Sequence, residues 1–342
     1  MPYNRALDGV RALAILAVVL FHCAVPGGGG GFIGVDIFFV LSGYLITSLL
    51  ASEHRNAGIS IGAFYARRAL RLYPTLLILL AAYLALAPLL WPMEDRWLIA
   101  ALNSLYLMDY ALAFSYVPGT IGHTWSLGVE EKFYLLWPLL LPLLLKTKRP
   151  IAWLLLAFLA ASLWRYIVTF EWGWLQAYFR FDTRVSGILL GAIAALAPLR
   201  VSKPTVVIAC ATLAVILAVP IIPTTTRSIP VIGVTLGITL AEICAFVLIC
   251  YAAEHRNHGF LASSPMAWLG RLSYGIYLWH FPLVVLLRDA HAQPWWITLS
   301  VTLVFSVAMA ALCLYLVDAP IKRWRERAWL FKAARPSMRA ST

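Results

Sequence analysis

A chain of 342 residues that is 62% hydrophobic and 12% charged, with a mean hydropathy of +0.83, has too little polar surface to face water on all sides. That excludes a soluble globular domain and predicts an all-α, polytopic membrane protein. The formal net charge of +12 reads as an orientation signal rather than a nucleic-acid signal, since no nucleic-acid motif accompanies it.

Apolar stretches fall near 8–25, 33–51, 74–91, 127–145, 150–168, 184–199, 204–222, 231–253, 270–288 and 296–318. They predict about ten transmembrane helices, each near the ~20 residues that a bilayer core requires. The stretch Trp97 to Leu107 is apolar but short, and predicts an interfacial or re-entrant segment, with an eleventh span as the alternative. Basic residues gather in alternate connections, at Arg55 to Arg71, Lys146 to Arg149, Arg200 and Lys203, then Arg256 and Arg271. With an even number of spans this alternation places both termini in the cytoplasm. Residues 1–320 form the transmembrane domain, and 321–342 a basic cytoplasmic tail whose Trp324, Trp329, Leu330 and Phe331 suit the anionic inner leaflet. The five cysteines show no metal-ligand spacing, so neither a metal site nor disulfides are expected.

The first apolar segment, Asp8 to Cys23, could mimic a signal peptide behind Arg5, but Asp8 and Arg11 interrupt it and it reads as a retained helix. Arg11 and His22 are eleven positions apart, about three turns and ~16 Å of rise, so both leave one helix face near opposite ends. Asp8 stands three residues before Arg11, within pairing reach. Intramembrane charge is a functional-site hypothesis by default. The competing explanation is a snorkelling Arg and an interfacial His.

Gly27 to Gly31 reads as a flexible outer turn, after which Asp36 opens the second span above Gly43 and Thr47. Close helix packing explains Gly43 and leaves Asp36 unexplained. In FYARRALRLYP, Arg67, Arg68 and Arg71 lie along one side of a short helix before Pro74. The cluster is either a topology signal or an anion site, because guanidinium forks suit phosphate oxygens. In HTWSLGVEEKFYLLWP, Ser126, Glu130, Phe133 and Trp137 share a stripe, with Glu131 and Lys132 beside it. One of the two acids could simply neutralise Lys132; otherwise at least one is functional. In LGRLSYGIYLWHFP, Ser273, Tyr277 and His280 recur at i, i+4 and i+7, a polar stripe that could line a water-filled path, with His280 near mid-membrane. Glu242 and Asp318 are isolated acids without a role at this stage.

These stretches together, LDGVRALAILAVVLFH, GVDIFFVLSGYLIT, FYARRALRLYP, HTWSLGVEEKFYLLWP and LGRLSYGIYLWHFPL, resemble the acyltransferase 3 family of bacterial membrane O-acyltransferases and follow its order. The resemblance implies a ten-helix domain of the bacterial inner membrane that moves an acyl group, foremost acetyl, from cytoplasmic acyl-CoA to a hydroxyl of a carbohydrate or glycolipid. It implies Arg11 and His22 as the essential pair, Arg67, Arg68 and Arg71 as the basic motif, and Glu130 as the leading acid. Lys132 departs from the Gln usual in the family, adding positive charge beside Glu131. Some members carry a C-terminal extracytoplasmic SGNH domain; the chain ends soon after its last span, so none is expected here, and a separate extracytoplasmic partner could stand in for it.

The geometry suits this reading. The Arg cluster would hold CoA phosphates while the thin pantetheine arm threads between helices, with Ser273, Tyr277 and His280 as the candidate tunnel wall. His22 would act as general base, oriented by Glu130 or Asp36, and Arg11 would hold the donor or fix its helix through Asp8. Direct transfer is favoured over an acyl-enzyme on His22 or Ser126. A transporter or flippase for a glycan or lipid intermediate is the competing class, against which stands the lack of an evident inverted repeat. A non-catalytic assembly subunit would leave the His and Arg pattern unexplained.

Overall fold

The structure, a computed structural model, describes residues 3–56, 58–115, 119–197, 199–218 and 231–327. Every regular element among them is helical. In chain order these are α1 (Arg5–His22), α2 (Gly34–Asn56), α3 (Ile61–Leu90), α4 (Arg96–Ser104), α5 (Met108–Tyr110), α6 (Trp125–Leu145) and α7 (Pro150–Glu171). They continue with α8 (Trp174–Phe179), α9 (Phe181–Leu196), α10 (Lys203–Ala218), α11 (Ile238–Glu254), α12 (Ser264–Val284), α13 (Trp295–Cys313) and α14 (Ala319–Arg327).

A helix lies at each of the ten apolar stretches, and among the described residues five helical rods are long and apolar enough to cross a membrane: Gly31–Asn56, Ile61–Leu90, Pro150–Glu171, Gly233–Glu254 and Trp295–Arg325. The others fall short for chemical reasons. Helix α1 carries Arg5, Asp8 and Arg11, and α6 carries Glu130, Glu131 and Lys132. Helices α9 and α10 have 16 residues each, and α12 spends its length on Ser273, Tyr274, Tyr277 and His280. The helices that are least like plain spans are thus mostly those that carry the candidate site.

Helix α2 is the centre of the bundle. Of its most apolar window 78% is buried, against 33% for α3 and α7 and 28% for the rod holding α13, whose exposed faces are apolar. The α2–α9 contact is backbone to backbone. A Cβ on Gly43 would stand 1.9 Å from the Ile188 carbonyl oxygen, and one on Gly191 1.9 Å from that of Val40. In a lipid-like medium such small-residue contacts replace the hydrophobic drive as the source of association. Helices α1 and α12 run in parallel with the same intimacy, since a Cβ on Gly270 would meet the Asp8 carbonyl oxygen at 1.8 Å.

The short apolar stretch after α3 folds back along it as α4, capped by the Asp95 side chain on the Leu98 amide. Tyr83 of α3 donates to Glu94 before α4, and Tyr73 donates to the Ser104 carbonyl at its end. At 9 residues α4 is shorter than a bilayer core requires. At the C-terminus, α14 prolongs α13 through the wide turn Leu314–Asp318. Trp329, Leu330 and Phe331 of the expected interfacial tail lie outside the described residues.

Two fully buried ion pairs tie α2, α7, α9 and α11 together. Arg184 reaches Asp36 at 2.9 Å, and Arg165 reaches both oxygens of Glu242 at 3.2 and 3.3 Å. Ser186 links the second pair, at 2.6 Å from Glu242 and 2.6 Å from Arg165. Glu242, which stood isolated in the sequence, is therefore a structural counter-ion. Removing one partner of a buried pair strands the other charge, at a cost of about 3–5 kcal/mol. Arg165→Met should accordingly lower the thermal unfolding temperature in detergent sharply. Adding Glu242→Leu should recover much of that loss, because two apolar groups then meet where one charge had none.

Candidate active site

Helices α1, α2, α3, α6 and α12 enclose a cavity of about 300 Å³. Arg11, Arg68 and Arg71 line it, with Ser126, Glu130, Ser273 and Tyr277 contributed by α6 and α12. Its size is at the lower end of the ~300–1,000 Å³ of small-molecule sites. Arg11 keeps the partner its spacing implies, with Asp8 at 2.5 Å. Arg68 lies 3.9 Å over the Tyr134 ring, and the Tyr134 hydroxyl bonds Ser42 of α2. Arg68, Arg71 and Arg11 share the cavity lining with Glu130. A second cavity of about 190 Å³, bordered by Asn4, Tyr44 and Arg256, shares Arg11 and Leu45 with the first. The Arg11–Asp8 pair therefore stands between the two.

Arg67 does not join this lining. It turns to α2 and pairs with Glu53 at 2.5 Å, so one arginine of the motif fastens α3 to α2 while the other two face the cavity.

On the α12 side of the cavity, the Tyr277 hydroxyl donates to the His123 carbonyl and so accepts from Ser126 Oγ at 2.7 Å. Behind this wall sit three histidines. His280 Nδ1 is 2.7 Å from the Tyr277 carbonyl oxygen, and its Nε2 is 2.9 Å from Nδ1 of His22. The His123 ring crosses that of His280 edge-on, centroids 5.3 Å apart. His123 and His280 are buried, His22 is half-buried, and Arg288 donates to the His22 carbonyl. Of the expected α12 stripe, Ser273 and Tyr277 line the cavity, whereas His280 is one layer behind them.

The acids are placed differently from the sequence expectation. Among the described residues the ring partner of His22 is His280, and none of Glu130, Glu131 and Asp36 bonds it. Asp36 belongs to the buried pair with Arg184, whose guanidinium lies 5.6 Å from the Phe39 and Trp125 ring centroids, and it is not in the cavity lining. Lys132 does not bias Glu131. It is bound by both carboxylate oxygens of Asp109 at 2.9 Å and by the Tyr106 carbonyl at 2.8 Å, so its charge is spent fixing the re-entrant segment to α6.

Several residues of the site were not picked out as such from sequence. His123 opens a recognisable stretch but lies in the 3₁₀ turn Gly122–Thr124, where helical periodicity gives no facing. Ser42, Tyr134 and Tyr274 are cavity-lining residues inside apolar runs, legible only as polar exceptions.

A family model described as an acyltransferase domain, that of acyltransferase 3, matches residues 4–318. O-acetyltransferase OatA of Staphylococcus aureus strain MRSA252 is 31% identical over 371 residues, covering 99% of this chain and 60% of that protein. Peptidoglycan O-acetyltransferase OatA of Listeria monocytogenes is 29% identical over 351 residues, covering 94% of this chain and 56% of that protein. The chain thus spans well under two thirds of the length of these curated relatives. No solved structure matches it. With the Arg-X10-His helix, the arginine pair and the Glu130 face gathered around one cavity, and with nearly the whole helical bundle covered by the family model, the chain belongs to the acyltransferase 3 family.

Proposed function

We propose that this chain is a multi-pass membrane O-acyltransferase that moves an acetyl group from acyl-CoA to a hydroxyl of a peptidoglycan-type glycan. The observation that carries the reading is a cavity with guanidinium groups on one side and, on the other, a Ser126–Tyr277 wall backed by the histidine cluster. The relatives, an O-acetyltransferase and a peptidoglycan O-acetyltransferase, support the acetyl group and the glycan acceptor. In this reading ten helices cross the inner membrane and both termini are cytoplasmic, as the alternation of basic connections indicates.

Arg68, Arg71 and Arg11 hold the phosphates of the donor, and the pantetheine arm occupies the cavity toward Ser126 and Tyr277. The acceptor hydroxyl approaches His22 from the opposite side. His22 removes its proton as the oxygen attacks the thioester carbonyl. The C–O bond forms, the C–S bond breaks, and the thiolate of CoA leaves and is reprotonated. Glu130 orders the arginines rather than the base, and Asp36 serves the fold.

His22→Ala should abolish transfer while leaving thermal unfolding close to that of the wild type. Near-normal turnover would remove His22 from the mechanism.

Arg68→Ala and Arg71→Ala should each weaken CoA binding roughly tenfold or more, from the ~1.5–3 kcal/mol of a charge-assisted hydrogen bond. Equilibrium binding should also lose much of its salt dependence. Arg67→Ala should affect stability more than affinity, because its partner is Glu53. Equal binding by the Arg68 and Arg71 variants would reduce the motif to a topology signal.

Sealed vesicles of known orientation test the sidedness. Acyl-CoA supplied on the cytoplasmic side alone should acylate an impermeant acceptor on the other side. Product formed only when both are cytoplasmic would defeat transmembrane delivery and leave acyl transfer standing.

A further inference from the structure

We propose that His280 is the positioning residue of the site: through one hydrogen bond it sets the tautomer and ring orientation of His22, so that Nε2 of His22 is the basic nitrogen. The consequence for turnover rests on the acyl-transfer reading; the tautomer itself does not.

The hydrogen-bonded chain of atoms from the Tyr277 carbonyl to His22 fixes where each proton sits. His280 is wholly buried, and its Nδ1 faces two carbonyl oxygens, that of Tyr277 at 2.7 Å and that of Ile276 at 3.2 Å. A carbonyl oxygen only accepts, so Nδ1 of His280 must carry the hydrogen. A neutral imidazole holds one, which leaves Nε2 of His280 bare. That nitrogen is 2.9 Å from Nδ1 of His22. Two bare nitrogens cannot share a hydrogen bond, so Nδ1 of His22 carries its own hydrogen and donates it. The lone pair of His22 is then on Nε2, which has no hydrogen-bond partner among the described residues. In most catalytic histidines a carboxylate or carbonyl performs this task. Here the orienting group is a second imidazole, itself oriented by the carbonyl of the residue whose hydroxyl closes the cavity.

The ring of His22 is also held mechanically. Phe281 meets it edge-on at 4.8 Å between centroids, and the ring of Phe21 lies 5.1 Å away. Arg288 anchors the His22 carbonyl.

Histidine-selective ¹⁵N NMR of the full chain in nanodiscs reads the tautomer directly, with His22→Ala assigning the signal. The wild type should show a protonated Nδ1 and an unprotonated Nε2 for His22. The opposite tautomer overturns the proposal without any variant. His280→Leu should lose that pattern and lower kcat tenfold or more with little change in the KM for acyl-CoA. His280→Gln, whose amide oxygen can accept near the position of Nε2, should restore both. Equal loss in the Leu and Gln variants, or an unchanged tautomer in His280→Leu, means that His280 only fills space and overturns the proposal. If the tautomer follows His280 as expected while the wild type transfers no acyl group, the positioning role stands and the acyl-transfer reading falls.

Discussion

The burial of charge in an apolar bundle is the constraint on which the rest of this structure depends. An ion taken out of water into such an interior must find a counter-ion and satisfied hydrogen bonds, or it will not stay. Outside the cavity these buried charges have counter-ions. Asp36 has Arg184, Glu242 has Arg165, and Asp109 has Lys132. The first two pairs sit where α2, α9, α7 and α11 meet, beside the backbone contacts that Gly43 and Gly191 allow. One half of the bundle is thereby a tight and neutral scaffold. The other half, where α1, α3, α6 and α12 face α2, remains open enough to hold a cavity.

In the cavity lining the balance is different. Three guanidinium groups face it and one carboxylate, Glu130. Even with Arg11 set against Asp8, two arginines remain beside a single acid in the lining. That excess of guanidinium groups in the lining distinguishes it from the one-to-one pairs of the scaffold. Tyr277 then separates two chemistries. Its hydroxyl belongs to the cavity wall with Ser126, while its carbonyl belongs to the histidine cluster through His280.

Much of this was legible along the chain. The eleven-residue spacing of Arg11 and His22 gave a shared face, and the three-residue spacing of Asp8 gave the ion pair. A helix lies at each of the ten apolar stretches that hydropathy marks. What escaped was every partner supplied from far away. Arg67, Arg68 and Arg71 share a side of α3, yet Glu53 draws Arg67 aside, and no helical wheel contains that acid. Lys132 sits next to Glu131 in sequence, but Asp109, in the re-entrant segment, holds it. Asp36 looked like a site acid because its counter-ion, Arg184, lies on the seventh helix of the bundle after it. Sequence periodicity tells which way a side chain points. It does not tell what waits there, and for buried charge the partner decides the role.

The α1–α12 interface shows how the two chemistries are kept in register. The helices are parallel, and at one end Gly270 lets the backbone of α12 rest on the carbonyl of Asp8. The side chain of the same aspartate holds Arg11, at the boundary between the two cavities. At the other end His280 of α12 holds His22 of α1. Both ends of the Arg11 to His22 helix are thus referenced to α12, which also carries Ser273 and Tyr277 in the wall between them. A shift of α12 along α1 would disturb the Asp8 contact and the histidine bond together. The distance from Arg11 to His22 is therefore a property of one helix pair. Helices α2, α3 and α6 then complete the cavity against that pair with Ser42, Arg68, Arg71, Ser126 and Glu130.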